Sequence, residues 1–205
     1  NFDKTIIMGI LNVTPDSFSD GGKHDQKDQA VAYAKQMIAD GATVIDVGGE
    51  STRPGASVVE IAEEIRRVVP VVAELAKLDV IISIDTSQPG VIREAVKAGA
   101  HIWNDVRALT RPHALETAAE LNIPVIIMHM RGEPTTMNHL DQYEDVTQEV
   151  IAELQQRVDD ALQAGIHPKN IMIDPGFGFA KNAQQNLKLL NEFYQLNNMG
   201  YPILS

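Results

Sequence analysis

Short runs of β-branched and apolar residues alternate along the chain with longer stretches whose apolar residues recur every three or four positions. This alternation is typical of parallel β-α units. The candidate strands are Ile6–Gly9, Val44–Val47, Val80–Ile84, Ile102–Trp103, Val125–Met128, Ile171–Ile173 and Ile203–Leu204. The pattern therefore predicts six complete β-α units followed by the start of a seventh strand.

The longer stretches are predicted to be amphipathic helices that end at glycines. Their apolar faces are formed by Ala30, Val31, Ala34, Met37 and Ile38; by Ile61, Ile65, Val68, Val72 and Leu75; and by Val146, Val150, Leu154, Val158 and Ala161. The first of these helices is expected to end before Gly41 and the last before Gly165. Ser87 as N-cap and Pro89 in the first turn predict another helix start, and Gly99 predicts its end.

A weak internal repeat supports this division of the chain. Gly41-Ala-Thr-Val-Ile-Asp46 and Gly99-Ala-His-Ile-Trp-Asn104 both run from a glycine through a strand to a polar residue. Repeated units without a charged linker predict one domain over residues 1–205. The predicted fold is a TIM (β/α)8 barrel, of which this chain supplies six units and the start of strand 7. An open doubly wound sheet is less favoured, because no glycine-rich dinucleotide fingerprint follows the first strand.

Composition narrows the class of protein further. The chain has 205 residues, of which 44% are hydrophobic and 22% charged, as in a typical globular protein. Its formal net charge is −11. Nucleic acids and anionic membranes require a basic protein surface, so neither is expected as a partner. The sequence has no cysteine, no apolar run of about 20 residues and no signal-peptide core near Asn1. We therefore expect a cytoplasmic protein.

Polar residues follow almost every predicted strand, at the end where parallel α/β folds place their chemistry. They are Asn12, Asp46, Asp85, Asn104, His129 and Asp174. Three of these are carboxylates, whose like charges repel one another unless a cation or hydrogen-bond donors neutralise them. The site is therefore expected to hold a metal ion or a ligand rich in N–H donors.

Two loops rich in hydroxyls, carboxylates and glycine follow the first two strands. They run from Thr14 to Gly22 and from Gly48 to Gly55. Their place at the predicted mouth of the fold, and their paired glycines, favour mobile covers of an active site over ordinary connections.

The same two loops carry the clearest motifs in the chain. Met8-Gly-Ile-Leu-Asn-Val-Thr-Pro-Asp-Ser-Phe-Ser-Asp-Gly-Gly22 and Asp46-Val-Gly-Gly-Glu-Ser-Thr-Arg-Pro-Gly55 closely resemble the two signatures of the dihydropteroate synthase family. Further matching segments follow in order: Ile84-Asp-Thr-Ser87, Asn104-Asp105, Met128-His-Met130 and Asp174-Pro-Gly-Phe-Gly-Phe179. The resemblance implies a folate-pathway transferase on a TIM barrel. It would condense 6-hydroxymethyl-7,8-dihydropterin diphosphate with p-aminobenzoate, giving 7,8-dihydropteroate and pyrophosphate.

The resemblance also implies which residues hold the pterin. They are the carboxylates of Asp85 and Asp174 and the amide of Asn104. A pterin's pyrimidine edge offers a row of N–H donors, and a carboxylate can accept two of them in parallel. Met128 is either an apolar wall against the pterin ring or a buried core residue.

The remaining implied roles concern the diphosphate and p-aminobenzoate. Asn12 helps to bind the diphosphate and its Mg²⁺, a hard cation that suits an amide oxygen. The loop that closes on p-aminobenzoate and pyrophosphate corresponds to Thr52, Arg53 and Pro54. Phe179 corresponds to the ring beside the benzoate. Asn12 and Arg53, together with Asp85, are expected to carry catalysis.

Two alternatives stay open from the sequence. A pterin-binding methyltransferase module shares the barrel and the pterin carboxylates, but it is expected to lack the Thr-Pro-Asp-Ser-Phe-Ser-Asp and Ser-Thr-Arg-Pro loops that occur here. A non-catalytic pterin-binding paralogue would lack a catalytic residue. Four further polar residues are either functional or structural, and no role is assigned to them: Asp46, Glu50, His129 and Arg131.

The family pattern extends past the last residue of this chain. It includes a Ser-Arg-Lys segment after the seventh strand and an Arg-x-His segment near the end, and Tyr201-Pro-Ile-Leu-Ser205 stops before both. Further chain beyond Ser205 is therefore expected. The resemblance also implies a homodimer.

Overall fold

A computed structural model describes residues 4–14, 23–50, 59–133 and 136–205. These residues form two compact units, of which the first ends at Asn104 and the second begins at Asp105. Within the described ranges, no helix combines the length and the apolar composition needed to span a bilayer.

The described part of the first unit is built on four parallel strands. Its elements are β1 (Met8–Asn12), α1 (Lys23–Ala39), β2 (Val44–Gly48), α2 (Ile61–Leu75), β3 (Ile81–Asp85), α3 (Pro89–Ala98) and β4 (Ile102–Asp105). The strands pair in chain order, β1 with β2, β2 with β3 and β3 with β4. Parallel neighbours need a crossover connection, and each crossover here contains one helix. The predicted parallel β-α units are therefore confirmed.

The core of this unit includes much of the apolar faces that the sequence predicts, but the prediction is wrong for Ile61, which is exposed at the first residue of α2. Val68, Val72 and Leu75 of α2 are fully buried, as are Ala30 and Ala34 of α1. Strands covered by helices are usually continuous apolar runs. β2 is buried along its whole length and yet contains an aspartate, Asp46.

The described part of the second unit has three helices and two parallel strands, β5 and β6. Its elements are α4 (Ala114–Leu121), β5 (Val125–Met128), α5 (Val146–Gln163), β6 (Ile171–Asp174) and α6 (Ala183–Asn191), with 3₁₀ helices at Met137–His139, Pro168–Asn170 and Phe193–Met199. β5 pairs with β6. Ile203 forms a parallel bridge to Ile173 of β6, and Leu204 N donates to Ile173 O at 2.9 Å. The predicted start of a seventh strand is therefore confirmed.

Strand ends differ from the predictions in one consistent way. β1 is predicted at Ile6–Gly9 and observed at Met8–Asn12, and β3 and β6 each extend one residue further, to an aspartate. The sequence pattern ends a predicted strand at its last apolar residue. The backbone of the next, polar residue still pairs with the neighbouring strand, so the observed strand is longer. The prediction of Ser87 as a helix cap is also wrong. The N-cap of α3 is Gln88, which the following proline holds in an extended conformation.

Gly99 ends α3 as predicted, with a left-handed φ of +119°. A Cβ added at Gly99 would lie 2.7 Å from the Cβ of Ala76. The backbone angle and the close contact therefore both require glycine. Gly90 of the same helix has neither constraint, since the nearest atom to an added Cβ is Ile61 Cγ2 at 3.4 Å.

We expect Gly99→Ala to lower the free energy of unfolding by about 1–3 kcal/mol, because alanine would have to adopt a strained angle and displace Ala76. Urea unfolding followed by circular dichroism measures the change. Gly90→Ala is the matched control, and we expect it to raise the free energy of unfolding by up to about 1 kcal/mol. Equal losses in the two variants would show that the left-handed angle is not the cause.

Candidate active site

Four residues at the carboxyl ends of β1 to β4 lie in register across the sheet of the first unit. Asn12 pairs with Gly48, Gly48 with Asp85, and Asp85 with Asn104. Residues in register on neighbouring parallel strands present their side chains to the same face of a sheet. The structure therefore brings together three of the predicted site residues, Asn12, Asp85 and Asn104.

Gly48 leaves space between two of these side chains. A Cβ added at Gly48 would lie 3.4 Å from Asp85 Oδ2 and 3.6 Å from Asn12 Oδ1. The two oxygen atoms therefore flank a position that has no side chain of its own. Asn12 is exposed and Asp85 is half-buried, so a ligand can reach both within this unit.

Asp46 lies two residues before Gly48 on the same face of β2. It pairs in register with Ser83, and both residues are buried. Asn104 Nδ2 donates a hydrogen bond to Asp46 Oδ2 at 3.1 Å. Burial raises the pKa of Asp46. The prediction that Asp46 follows its strand is wrong, because the pairing of β2 continues to Gly48.

Two buried oxygen atoms of this pair have no hydrogen-bond partner among the described residues. They are Asp46 Oδ1 and Asn104 Oδ1. Buried polar atoms are nearly always hydrogen-bonded, and leaving one unsatisfied costs roughly 1–3 kcal/mol. The pair is therefore suited to a ligand that donates N–H bonds.

In the second unit, a tight segment follows β6. Asp174 Oδ1 accepts a hydrogen bond from Gly176 N at 2.7 Å. Gly176 has a φ of +69°, and a Cβ there would collide with the carbonyl oxygen of His129. Met128 pairs in register with Asp174 and is 4% exposed. The structure therefore brings Met128 and Asp174 together at the ends of neighbouring strands.

Lys181 holds the segment after β6, and the sequence reasoning missed it. Its side chain is buried, and Nζ donates to Gly176 O at 3.0 Å, to Phe179 O at 2.9 Å and to His129 Nδ1 at 2.9 Å. An ammonium group has three N–H donors, so its capacity is filled. Burial lowers the pKa of Lys181 to about 7. In the sequence, Lys181 could have been noticed only because it lies two residues after the Asp174–Phe179 segment that resembles the family motif.

His129 and Arg131 share a carboxylate partner, Glu153. Glu153 is ionised and can only accept, so His129 Nε2 is the donor to Glu153 Oε2 at 2.6 Å. The imidazole is neutral, which leaves Nδ1 to accept from Lys181 Nζ. Arg131 Nε donates to Glu153 Oε1 at 3.0 Å, and its guanidinium lies 3.8 Å from the centroid of the Tyr143 ring. Both side chains are therefore hydrogen-bonded within the second unit.

The pKa values in this cluster follow from burial and hydrogen bonding. Burial lowers the pKa of His129, which keeps the imidazole neutral. Burial alone would raise the pKa of Glu153, but hydrogen bonds from His129 and Arg131 outweigh it and lower that pKa to about 2. The carboxylate therefore stays ionised and neutralises the arginine.

Three predicted site residues lie outside the described residues: Thr52, Arg53 and Pro54. Most of the two loops predicted to cover the site lies outside them as well. Glu50 is buried, and the neighbouring Gly49 O accepts a hydrogen bond from Arg67 Nη1 at 2.8 Å. Across the described ranges, no group of three or more histidine, aspartate or glutamate side chains is arranged to hold a metal ion.

We expect Lys181→Met to change how stability depends on pH. Between pH about 7 and 10.5 the buried lysine has lost its proton while the unfolded chain keeps it, so the native state gains stability as pH rises through this window. The methionine variant lacks this gain. Thermal unfolding should therefore show the melting temperature of the wild type rising relative to the variant from pH 7 to pH 10.

Lys169→Met is the control, because Lys169 is an exposed lysine just before β6. Its melting temperature should keep a constant offset from the wild type across the same range. The same flat offset for Lys181→Met would contradict a lowered pKa at Lys181.

A family model described as pterin binding enzyme matches residues 8–205. Dihydropteroate synthase of Escherichia coli strain K12 is 52% identical over 199 residues, which cover 97% of this chain and 71% of that protein. A solved structure of Xanthomonas albilineans dihydropteroate synthase with 4-aminobenzoic acid is 46% identical, with a TM-score of 0.92; the match covers 98% of this chain and 72% of that one. Another structure of the Xanthomonas albilineans enzyme, in complex with 7,8-dihydropteroate, is 42% identical with a TM-score of 0.87, covering 98% and 71%.

These likenesses establish the fold class and the family. The solved structures are dihydropteroate synthases, which have a TIM-barrel fold, and the parallel β-α units of this chain agree with it. The predicted fold class is therefore confirmed. Enzymes of this kind are transferases of folate biosynthesis. The chain belongs to the dihydropteroate synthase family.

Proposed function

We propose that this chain condenses 6-hydroxymethyl-7,8-dihydropterin diphosphate with p-aminobenzoate to give 7,8-dihydropteroate and pyrophosphate. The observation that carries the proposal is the row of Asn12, Asp85 and Asn104 at the strand ends, with its unsatisfied buried acceptor. The family membership supports it. The related Xanthomonas albilineans enzyme has been solved with 4-aminobenzoic acid and with 7,8-dihydropteroate.

The pterin is assigned to the acceptors at the strand ends. Asp85, Asn104 and Asp174 would receive the N–H groups of its pyrimidine edge, and carboxylates accept such groups in parallel pairs. Asn104 Oδ1 is buried without a partner among the described residues, which is the state expected of a group that binds a ligand N–H. In this proposal Met128 packs against the ring.

Asn12 is assigned to Mg²⁺ and the diphosphate. Its Oδ1 and Asp85 Oδ2 flank the position of Gly48, and hard oxygen donors of this kind suit Mg²⁺. Mg²⁺ usually takes one or two protein oxygens and completes its shell with phosphate oxygens and water, so a sparse donor set fits it. When bound, the ion would neutralise charge on the departing pyrophosphate.

The reaction needs no covalent enzyme intermediate. The bond between the exocyclic methylene carbon and the diphosphate oxygen breaks, and its electron pair leaves with pyrophosphate. The lone pair of the p-aminobenzoate nitrogen forms the new C–N bond, and that nitrogen releases a proton. The protein orients the two rings and excludes water that would capture the cation. Closing of the site is assigned to Thr52, Arg53 and Pro54, and Phe179 is assigned to the benzoate ring.

The cellular location and the oligomeric state of the protein are also proposed. We place the chain in the cytoplasm, as a homodimer in which residues 1–205 act as a single pterin-binding domain. These expectations come from the sequence and the family resemblance. Sedimentation at several protein concentrations measures the oligomeric state.

We expect Asp85→Asn to weaken pterin binding roughly 10- to 100-fold, because an amide cannot replace both acceptor contacts and a hydrogen bond to a charged group contributes about 1.5–3 kcal/mol. Calorimetry with the pterin measures the affinity, and a pyrophosphate-release assay measures turnover. Asp79→Asn is the control, since Asp79 is exposed and lies just before the opposite end of β3. Unchanged pterin affinity in Asp85→Asn would exclude Asp85 from the pterin site.

We expect Arg53→Ala to raise the KM for p-aminobenzoate and to lower turnover, with a smaller effect on binding of the pterin diphosphate. The resemblance places Arg53 in the loop that closes on p-aminobenzoate and pyrophosphate. Steady-state kinetics with each substrate varied in turn separate the effects. Arg66→Ala is the control, because Arg66 is an exposed arginine of α2 paired with Glu63. An equal loss in all three parameters would indicate a folding defect.

A further inference from the structure

We infer that Asp46 is a positioning residue, which fixes the amide of Asn104 so that Oδ1 is turned to accept an N–H from the pterin edge. The inference rests on the proposed function, because it concerns the same pterin site. It starts from one contact: Asn104 Nδ2 donates to Asp46 Oδ2 at 3.1 Å, with both residues buried.

The contact spans the width of a strand. Asp46 is on β2 and Asn104 on β4, and these strands are separated by β3 at a distance of roughly 10 Å. The β3 residue in register with Asp46 is Ser83, which is small and fully buried. A small side chain at this position lets the two longer side chains meet.

The chemistry of the contact determines the direction of the amide. An asparagine side chain has one donor group, Nδ2, and one acceptor, Oδ1. Nδ2 is the group turned to Asp46, where it donates to the carboxylate oxygen Oδ2. Oδ1 is then directed elsewhere, and it has no partner among the described residues. The Asp46 contact therefore presents an acceptor, and not a donor, to whatever occupies this place.

This orientation sets the specificity of the site. A ligand with an N–H at the position of Asn104 Oδ1 is accepted, whereas a ligand with a carbonyl oxygen there meets a second acceptor. Sites built to receive a hydrogen bond discriminate strongly against ligands that cannot donate it, because the buried group stays unpaired. Without Asp46, the amide could turn its NH₂ group outward and accept the second kind of ligand.

The test compares two ligands that differ in this property. They are 6-hydroxymethylpterin and 6-hydroxymethyllumazine, in which an oxo group replaces the 2-amino donor of the same edge. Calorimetry gives the ratio of their dissociation constants for the wild type, Asp46→Leu and Asp46→Asn. We expect the wild type to prefer the pterin and Asp46→Leu to lose about ten-fold or more of this preference. Asp46→Asn should keep the preference, because its own Oδ1 can still accept from Asn104 Nδ2.

Ser83→Ala is the matched control, since it changes a buried residue beside Asp46 without removing the acceptor. Its ligand preference should equal that of the wild type. An unchanged preference in a folded Asp46→Leu variant would overturn the inference, and so would an equal loss in Ser83→Ala. If Asp46→Leu does not fold, loss of the preference in Asp46→Asn overturns it. A wild type that binds neither ligand would instead contradict the proposed pterin site.

Discussion

The register of β1, β2, β3 and β4 decides which side chains share a face with Asn104. Side chains alternate along a strand, so a slip of one residue would send Asn12 or Asp85 to the opposite face. Gly48 leaves the position between its two neighbours in the row free of a side chain, since an added Cβ would lie in van der Waals contact with Asp85 Oδ2 and near Asn12 Oδ1. The row of Asn12, Asp85 and Asn104 in the first unit is therefore a property of the paired strands, which hold side chains more rigidly than loops do.

The second unit positions its residues by a different device, a buried polar network. A buried lysine is unfavourable unless its donors are satisfied. Lys181 meets this condition with two backbone carbonyls and His129, and His129 in turn bonds Glu153. The carbonyls belong to Gly176 and Phe179, so the bonds from Lys181 shape the segment after β6. They offset only part of the cost of burying the cation, because burial still lowers the pKa of Lys181 to about 7. Buried charged residues of this kind, which are unfavourable for folding, commonly occur at functional sites.

Much of the fold follows from local patterns. The helix ends at Gly41, Gly99 and Gly165 could be predicted because each depends on one turn of backbone. Strand ends could not, because hydropathy assigns polar residues to loops although backbone pairing includes them. The motifs indicated Asn12, Asp85, Asn104 and Asp174 by resemblance. Burial of Lys181, and the bond between Asp46 and Asn104 across 58 positions, depend on tertiary contacts that no local pattern contains.

These 205 residues carry a net charge of −11, so their total charge repels an anionic diphosphate. Attraction must come from cationic groups that contact the diphosphate directly. Arg131 and Lys181 of the second unit do not provide it, because Glu149 and Glu153 neutralise the arginine and three acceptors fill the lysine. His129 is neutral and already donates to Glu153. Within residues 1–205, the family resemblance assigns the proposed diphosphate contacts to Arg53 and to Mg²⁺ at Asn12. Such contacts act at hydrogen-bond distance, where salt screens them little. Repulsion between the diphosphate and the more distant acidic residues is weakened by salt.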